Sequence, residues 1–142
     1  MSTSSDIDNA LLAKLGADAQ LLALCPDNVY WDIAPHGAQR FVTVSLVTAT
    51  DESTYDAGPA IESILYAVKA SLLNNNTDAG LAAARIHELL HNQTLTVAGY
   101  TCMTMHRDED DPRIRMTEVD DKDPQIRWYH RGGNYRVEMT PT

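Results

Sequence analysis

With 142 residues, 44% of them hydrophobic, the chain can bury one core, is short for two domains and is too apolar to be compositionally disordered. No apolar run approaches the roughly 18 residues of a membrane span, and the opening Met1-Ser-Thr-Ser-Ser-Asp6 lacks the basic region and apolar stretch of a signal peptide, so synthesis in the cytosol is expected. A net charge of −9 repels the phosphate backbone and disfavours tight nucleic-acid binding.

Residues 1–5 are small and polar and read as frayed and flexible. Ser5 with Asp8 resembles a capping box that opens a helix, and Leu11, Leu12, Leu15, Ala19 and Leu22 give that helix one apolar stripe. Gly16 weakens it by about 1 kcal/mol without needing to end it; Pro26 ends it. Asn28–Trp31 reads as a short strand and Pro35-His-Gly37 as a turn. Phe41–Thr48 is rich in Val and Thr, as strands prefer, with Val42, Val44 and Leu46 on one face. Asp51–Pro59 reads as a mobile loop.

Ile61–Leu73 fits either period, and strand is the better reading, because from Ser63 onward alternation leaves every clearly polar residue on one face. Asn74-Asn-Asn76 reads as a turn, with Thr77 or Asp78 capping a helix over Asp78–His91 whose apolar side is Ala82, Ala83, Ile86, Leu89 and Leu90. Leu95–His106 reads as a strand with Leu95, Val97, Met103 and Met105 on one face, and Ile114–Val119 as a short one. Gln125–His130 and Tyr135–Met139 are strands, and Arg131-Gly-Gly-Asn134 between them is either a hairpin turn or a bulge within one bent strand. Strands are grouped rather than alternating with helices. That pattern predicts an α+β fold, an antiparallel-rich sheet with two helices on one face, as a single domain over residues 1–142 with an acidic loop over 107–124.

Cys25 and Cys102 lie far apart and form no Cys-x-x-Cys pair, so two reduced, partly buried thiols are expected. The charge is uneven. Asp108–Asp111 and Asp120–Asp123 are acidic, Arg113 and Arg115 lie between them, and Arg127, Arg131 and Arg136 follow. Solvated loops beside a mixed-charge strand is one reading; opposite patches that meet between subunits is the other.

One motif carries catalytic chemistry. His87-Glu-Leu-Leu-His91 matches H-E-x-x-H, in which two imidazoles four residues apart ligate zinc and the Glu acts on its bound water. The extended motif needs Gly and His where this chain has Thr94 and Val97. No downstream helix is expected to supply a third ligand. At roughly 100° per residue the apolar stripe centres between Ala82, Ile86 and Leu89, which leaves His87 and His91 on the polar, exposed side. Neither a nucleophile elbow nor a Gly-rich phosphate loop is present, so no catalytic residue, cofactor or metal is expected.

Taken in order, the elements resemble the tail-completion, or tail-terminator, proteins of long-tailed bacteriophages over about Ala10 to Pro141. The resemblance rests on the Leu-rich first helix with Ala17-Asp18 and the following Asn28-Val-Tyr30, on Arg40-Phe-Val-Thr-Val-Ser45, and on Leu65-Tyr-Ala-Val-Lys-Ala70. It continues through the Ala-rich helix ending Ile86-His-Glu-Leu-Leu90, then Leu95-Thr-Val-Ala-Gly-Tyr100 and Asn134-Tyr-Arg-Val-Glu138. The chain departs from such proteins at Arg40, where they often carry Pro, and in the length of its acidic stretch. The resemblance implies a hexameric ring in the virion, at the head-proximal neck of the tail. Such a ring caps the tail tube, stops its polymerisation and meets the head-side connector, while DNA passes through the lumen without specific binding. It also implies that Asp108, Asp111, Arg113, Arg115, Arg127, Arg131 and Arg136 are candidates for the subunit interface. The alternatives are a head–tail stopper or adaptor and, from a different class, a small zinc hydrolase using His87, Glu88 and His91.

Overall fold

The alternation in Ile61–Leu73 sets the centre of the molecule. In a computed structural model that describes residues 4–52, 61–109 and 113–142, this segment is a strand, β3, with a neighbour along each side. The elements before it are α1 (Ser4–Gly16), α2 (Ala19–Leu24), β1 (Val29–Trp31) and β2 (Arg40–Glu52). Those after it are α3 (Asn76–Leu90), β4 (Tyr100–Arg107), β5 (Arg113–Val119) and β6 (Arg127–Pro141). The sheet order is β1-β2-β3-β6-β4, and β5 shares the outer edge of β6 with β4. Among the described residues only β1 and β2 pair in parallel. The result is a mixed α+β fold with six strands and three helices among the described residues.

One face of the sheet is apolar. Ile64, Tyr66, Val68, Ala70 and Leu72 of β3 share it with Val42 and Val44 of β2 and Tyr135 and Val137 of β6. Against it pack Ile7, Leu11 and Leu15 of α1, Leu21 of α2, and Ala79, Ala82, Ile86 and Leu90 of α3. Each fully buried Leu or Ile contributes about 2 kcal/mol by leaving water.

Three helices stand where two were expected, because Gly16 does end the first one. Asp18 then caps α2, its carboxylate accepting the Leu21 N–H at 2.9 Å. The break shifts the apolar phase, so Leu21 and Cys25 are buried while Ala19 is exposed. α1 itself starts at Ser4, within the stretch expected to fray. The cap of α3 is Asn75, whose side chain accepts the Asp78 N–H at 3.0 Å, in place of Thr77 or Asp78. Asn74 just before it takes a left-handed φ of 56° and makes the sharp exit from β3.

Other differences are local. Leu46 stands opposite Tyr66, in step with Val42 and Val44, but is exposed; the bulge that follows it, between Leu46 and Thr48, shifts the register beyond. The strand expected over Leu95–His106 begins only at Tyr100, after Asn92 and Gly99 adopt positive φ; Leu95 and Val97 are buried without being in a strand. A second bulge between Cys102 and Thr104 leaves Met103 exposed and Met105 buried. The loop expected over Asp51–Pro59 lies outside the described residues beyond Glu52, and Asp51 and Glu52 continue β2.

β6 is neither a hairpin nor bulged against β3. Residues 128–139 pair with β3 in unbroken register. Gly132 is needed there for close approach: a Cβ on it would stand 2.0 Å from the Val68 carbonyl oxygen and 2.7 Å from Lys69 Cα. The stretch expected as one acidic loop over 107–124 is interrupted, since Arg107 closes β4 and 113–119 form β5.

Candidate assembly surface

The sheet brings together arginines that the sequence keeps apart. Arg113 and Arg115 of β5 stand opposite Gly133 and Arg131 of β6, and Arg107 of β4 stands opposite Tyr135. Registered partners point to the same side, here the side on which α3 lies. A groove of about 600 Å³ between α3 and these strands is lined by Arg107, Arg113, Arg115 and Arg131, with His87 and Glu88 from the helix.

These charges are poorly compensated. Among the described residues, the arginines in ion pairs are Arg40, Arg85 and Arg136, none of them in the groove. Glu88 is held by Arg85 at 2.9 Å. Arg131 donates to neutral oxygens instead: Met116 and His130 carbonyls at 2.9 Å and Asn76 Oδ1 at 2.9 Å. Burial, and then the neighbouring Arg115 charge, pull its pKa below the ordinary arginine value. Arg107 lies 5.9 Å from the centre of the Tyr135 ring, and its buried Nε has no hydrogen-bond partner among the described residues. Half of the chain's arginines thus converge on one groove in an otherwise acidic protein.

His87 and His91 are half-buried and not, as the helix phase suggested, simply exposed on the polar side. The reason is tertiary: β4 and β6 reach over the end of α3. His87 Nδ1 lies 3.2 Å from the Tyr135 hydroxyl, and His91 Nδ1 accepts the Arg107 backbone N–H at 3.1 Å. The rings stack with centroids 4.5 Å apart and planes 21° from parallel. Burial first, and then the Arg107 and His91 charges, hold the His87 pKa below the ordinary histidine value. Among the described residues no three His, Cys, Asp or Glu side chains are grouped to hold a metal ion. Cys25 is a poor nucleophile, because burial pushes its thiol up to about 12. Both cysteines are free thiols.

The remaining charged candidates do not form one patch. Arg131 and Arg136, an odd number of positions apart on one strand, face opposite sides of the sheet. Arg136 is engaged within the chain, donating to Ser63 Oγ at 2.8 Å and lying 3.8 Å from Asp108. Arg127 is exposed at the start of β6, where its Nε donates to the Pro124 carbonyl. Asp111 lies outside the described residues. Sequence reasoning missed Arg107, whose position opposite Tyr135 depends on the bulge within β4.

The family model described as tail completion protein gp17 matches residues 9–131. The chain belongs to this family. As a tail completion protein it is a structural component of a virion tail. A solved structure entitled "Virion of native gene transfer agent (GTA) particle" contains a chain of the same fold. The two match with a TM-score of 0.69 at 19% identity, over 98% of each chain. No curated protein matches. Among the described residues no helix is long and apolar enough to cross a membrane.

Proposed function

We propose that this tail completion protein is the terminator of the tail tube. Copies form a ring, most simply a hexamer, on the last ring of the tube at the head-proximal neck. The ring ends polymerisation and offers its other side to the head-side connector. The family match over residues 9–131 carries this reading. The groove supports it, since its four arginines have no carboxylate partner among the described residues, and such cations are more stable once a neighbour supplies the anions. Arg113, Arg115 and Arg131 therefore remain interface candidates, joined by Arg107, whereas Asp108 and Arg136 neutralise each other within one chain. The net negative charge suits a lumen through which DNA slides without sticking.

The test is light scattering and negative-stain microscopy of the purified protein, alone and with purified tail tubes. Rings seated on one end of the tubes are expected. A strictly monomeric protein that never joins tubes sinks the reading, and rings found only on the head-side connector favour a stopper or adaptor.

A further inference from the structure

Among the described residues β5 has one strand neighbour and almost no cover. It pairs with β6 alone, and of its residues Ile114 is half-buried while the rest are exposed. The register says which backbone groups its outer edge presents. Asp120 and Ile126 continue the β5–β6 pairing, and the Asp120 N–H donates to the Ile126 carbonyl at 3.0 Å, so these two form a hydrogen-bonded pair. In an antiparallel ladder such pairs recur at every second residue. Ile114, Met116 and Glu118 therefore turn their N–H and C=O groups toward β6, and Arg113, Arg115, Thr117 and Val119 turn theirs outward. An edge of this kind is a template for a further strand.

The two sides of this edge differ in chemistry. Arg113 and Arg115 stand on the α3 side with Arg131 and line the groove, whereas Ile114 and Met116 stand on the opposite side. The carboxylate of β5 does not reach its arginines. Glu118 is on the side of Met116, with Oε1 2.9 Å from His130 Nε2. Among the described residues neither Arg113 nor Arg115 is in an ion pair, and the buried Nε of Arg107 in the same groove has no acceptor.

We infer that the outer edge of β5 accepts an extended acidic segment of a partner protein as an added strand, with carboxylates on every second residue meeting Arg113 and Arg115 and apolar side chains between them covering Ile114 and Met116. In either strand direction, alternation places every second partner side chain on the α3 side. A cross-strand neighbour there has its Cβ about 5 Å from that of the arginine. Main-chain pairing supplies affinity, and the alternate side chains supply selectivity. That pairing selects a polypeptide over a nucleic acid, because a phosphate backbone meets arginines but has no row of N–H groups for the outward carbonyls. The inference deepens the reading of the groove as an assembly surface and rests on that reading, not on the ring.

The probe is a synthetic peptide as long as the 7 residues of β5, with Glu and Val alternating and both ends blocked. Titrated into the purified chain, it should slow hydrogen exchange at the Arg113, Arg115 and Thr117 amides more than at those of Ile114 and Met116, which already face β6. Arg113→Glu with Arg115→Glu should weaken binding by about tenfold or more, and a peptide with Lys in place of Glu should bind that variant instead. An unchanged melting temperature shows that the variant folds. Methylating the peptide nitrogens of one alternate set, either the Glu or the Val, should abolish binding, while methylating the other set leaves most of it. No binding of the Glu–Val peptide, equal binding of the two methylated forms, or equally tight binding of an oligothymidylate would each overturn the inference. Rings that still form on tail tubes in that event leave the terminator reading standing.

Discussion

Arg85, on α3, and Arg131, on the strand β6 beside it, are held in opposite ways. On the α2 side of α3, Arg85 meets both oxygens of Asp18, at 2.7 and 2.8 Å, and Glu88 at 2.9 Å. The Arg85 hydrogen bonds hold the Asp18 carboxyl below the usual carboxylate range. On the β5 side, among the described residues, Arg131 and Arg107 meet carbonyls, hydroxyls, an amide and aromatic rings, and no carboxylate. The first arrangement is complete within one chain and joins α2 to α3. The second is left open, and an open cluster of like charges is what an external anionic partner would stabilise. Residue type does not separate the two cases; the supply of carboxylates does.

The largest expected effect breaks the floor on which the open cluster stands. Gly132→Ala drives a Cβ into the Val68 carbonyl and should cost about 3 kcal/mol or more, read as a large drop in the chemical-denaturation midpoint.

Next comes the closed side. Asp18→Ala removes a helix cap and the carboxylate that Arg85 grips, and should cost about 1–2 kcal/mol by denaturant titration. Because the folded Asp18 pKa is depressed, its contribution is full above the unfolded value of about 3.9 and is lost as pH falls through the folded value. Acid unfolding of Asp18→Ala should accordingly be shallower than that of the wild type.

A smaller effect comes from His87. Its folded pKa is also lowered, so the neutral ring contributes fully above about pH 6.5, and that stability is lost as pH falls through the folded value. Unfolding midpoints should drop between pH 7.5 and 5, and His87→Gln should flatten the drop. If that variant follows the wild-type profile, the burial and neighbouring charges that lower the His87 pKa do not govern the acid sensitivity.

The smallest effect sharpens the contrast most. Arg115→Ala removes a charge that repels Arg131, so the monomer's melting temperature should stay the same or rise slightly. A clear loss of stability would show that the cluster, like Arg85, has a partner inside the chain.

Local pattern carried much of the fold. Alternation in Ile61–Leu73 and the β-branched run from Phe41 marked the central strands, and Ala82, Ile86 and Leu90 marked the buried side of α3. These features are visible because side-chain period follows backbone geometry. Single residues whose effect depends on surroundings were not legible. Gly16 ended a helix it was expected to survive, since Asp18 offered a cap two residues on. Gly132-Gly133 read as a hairpin turn or a bulge, although β3 lies against them so closely that nothing larger fits at Gly132.

The sequence by itself determined the α+β class, the acidic character and the resemblance to tail completion proteins, because composition, period and order of elements are properties of the chain. Only the tertiary structure decided which charges are neighbours. It separated Arg131 from Arg136 by one strand's alternation, paired Arg136 with Asp108, and gathered Arg107, Arg113, Arg115 and Arg131 into one groove. Register sets such neighbourhoods, and register is fixed by the whole sheet, not by any segment of it.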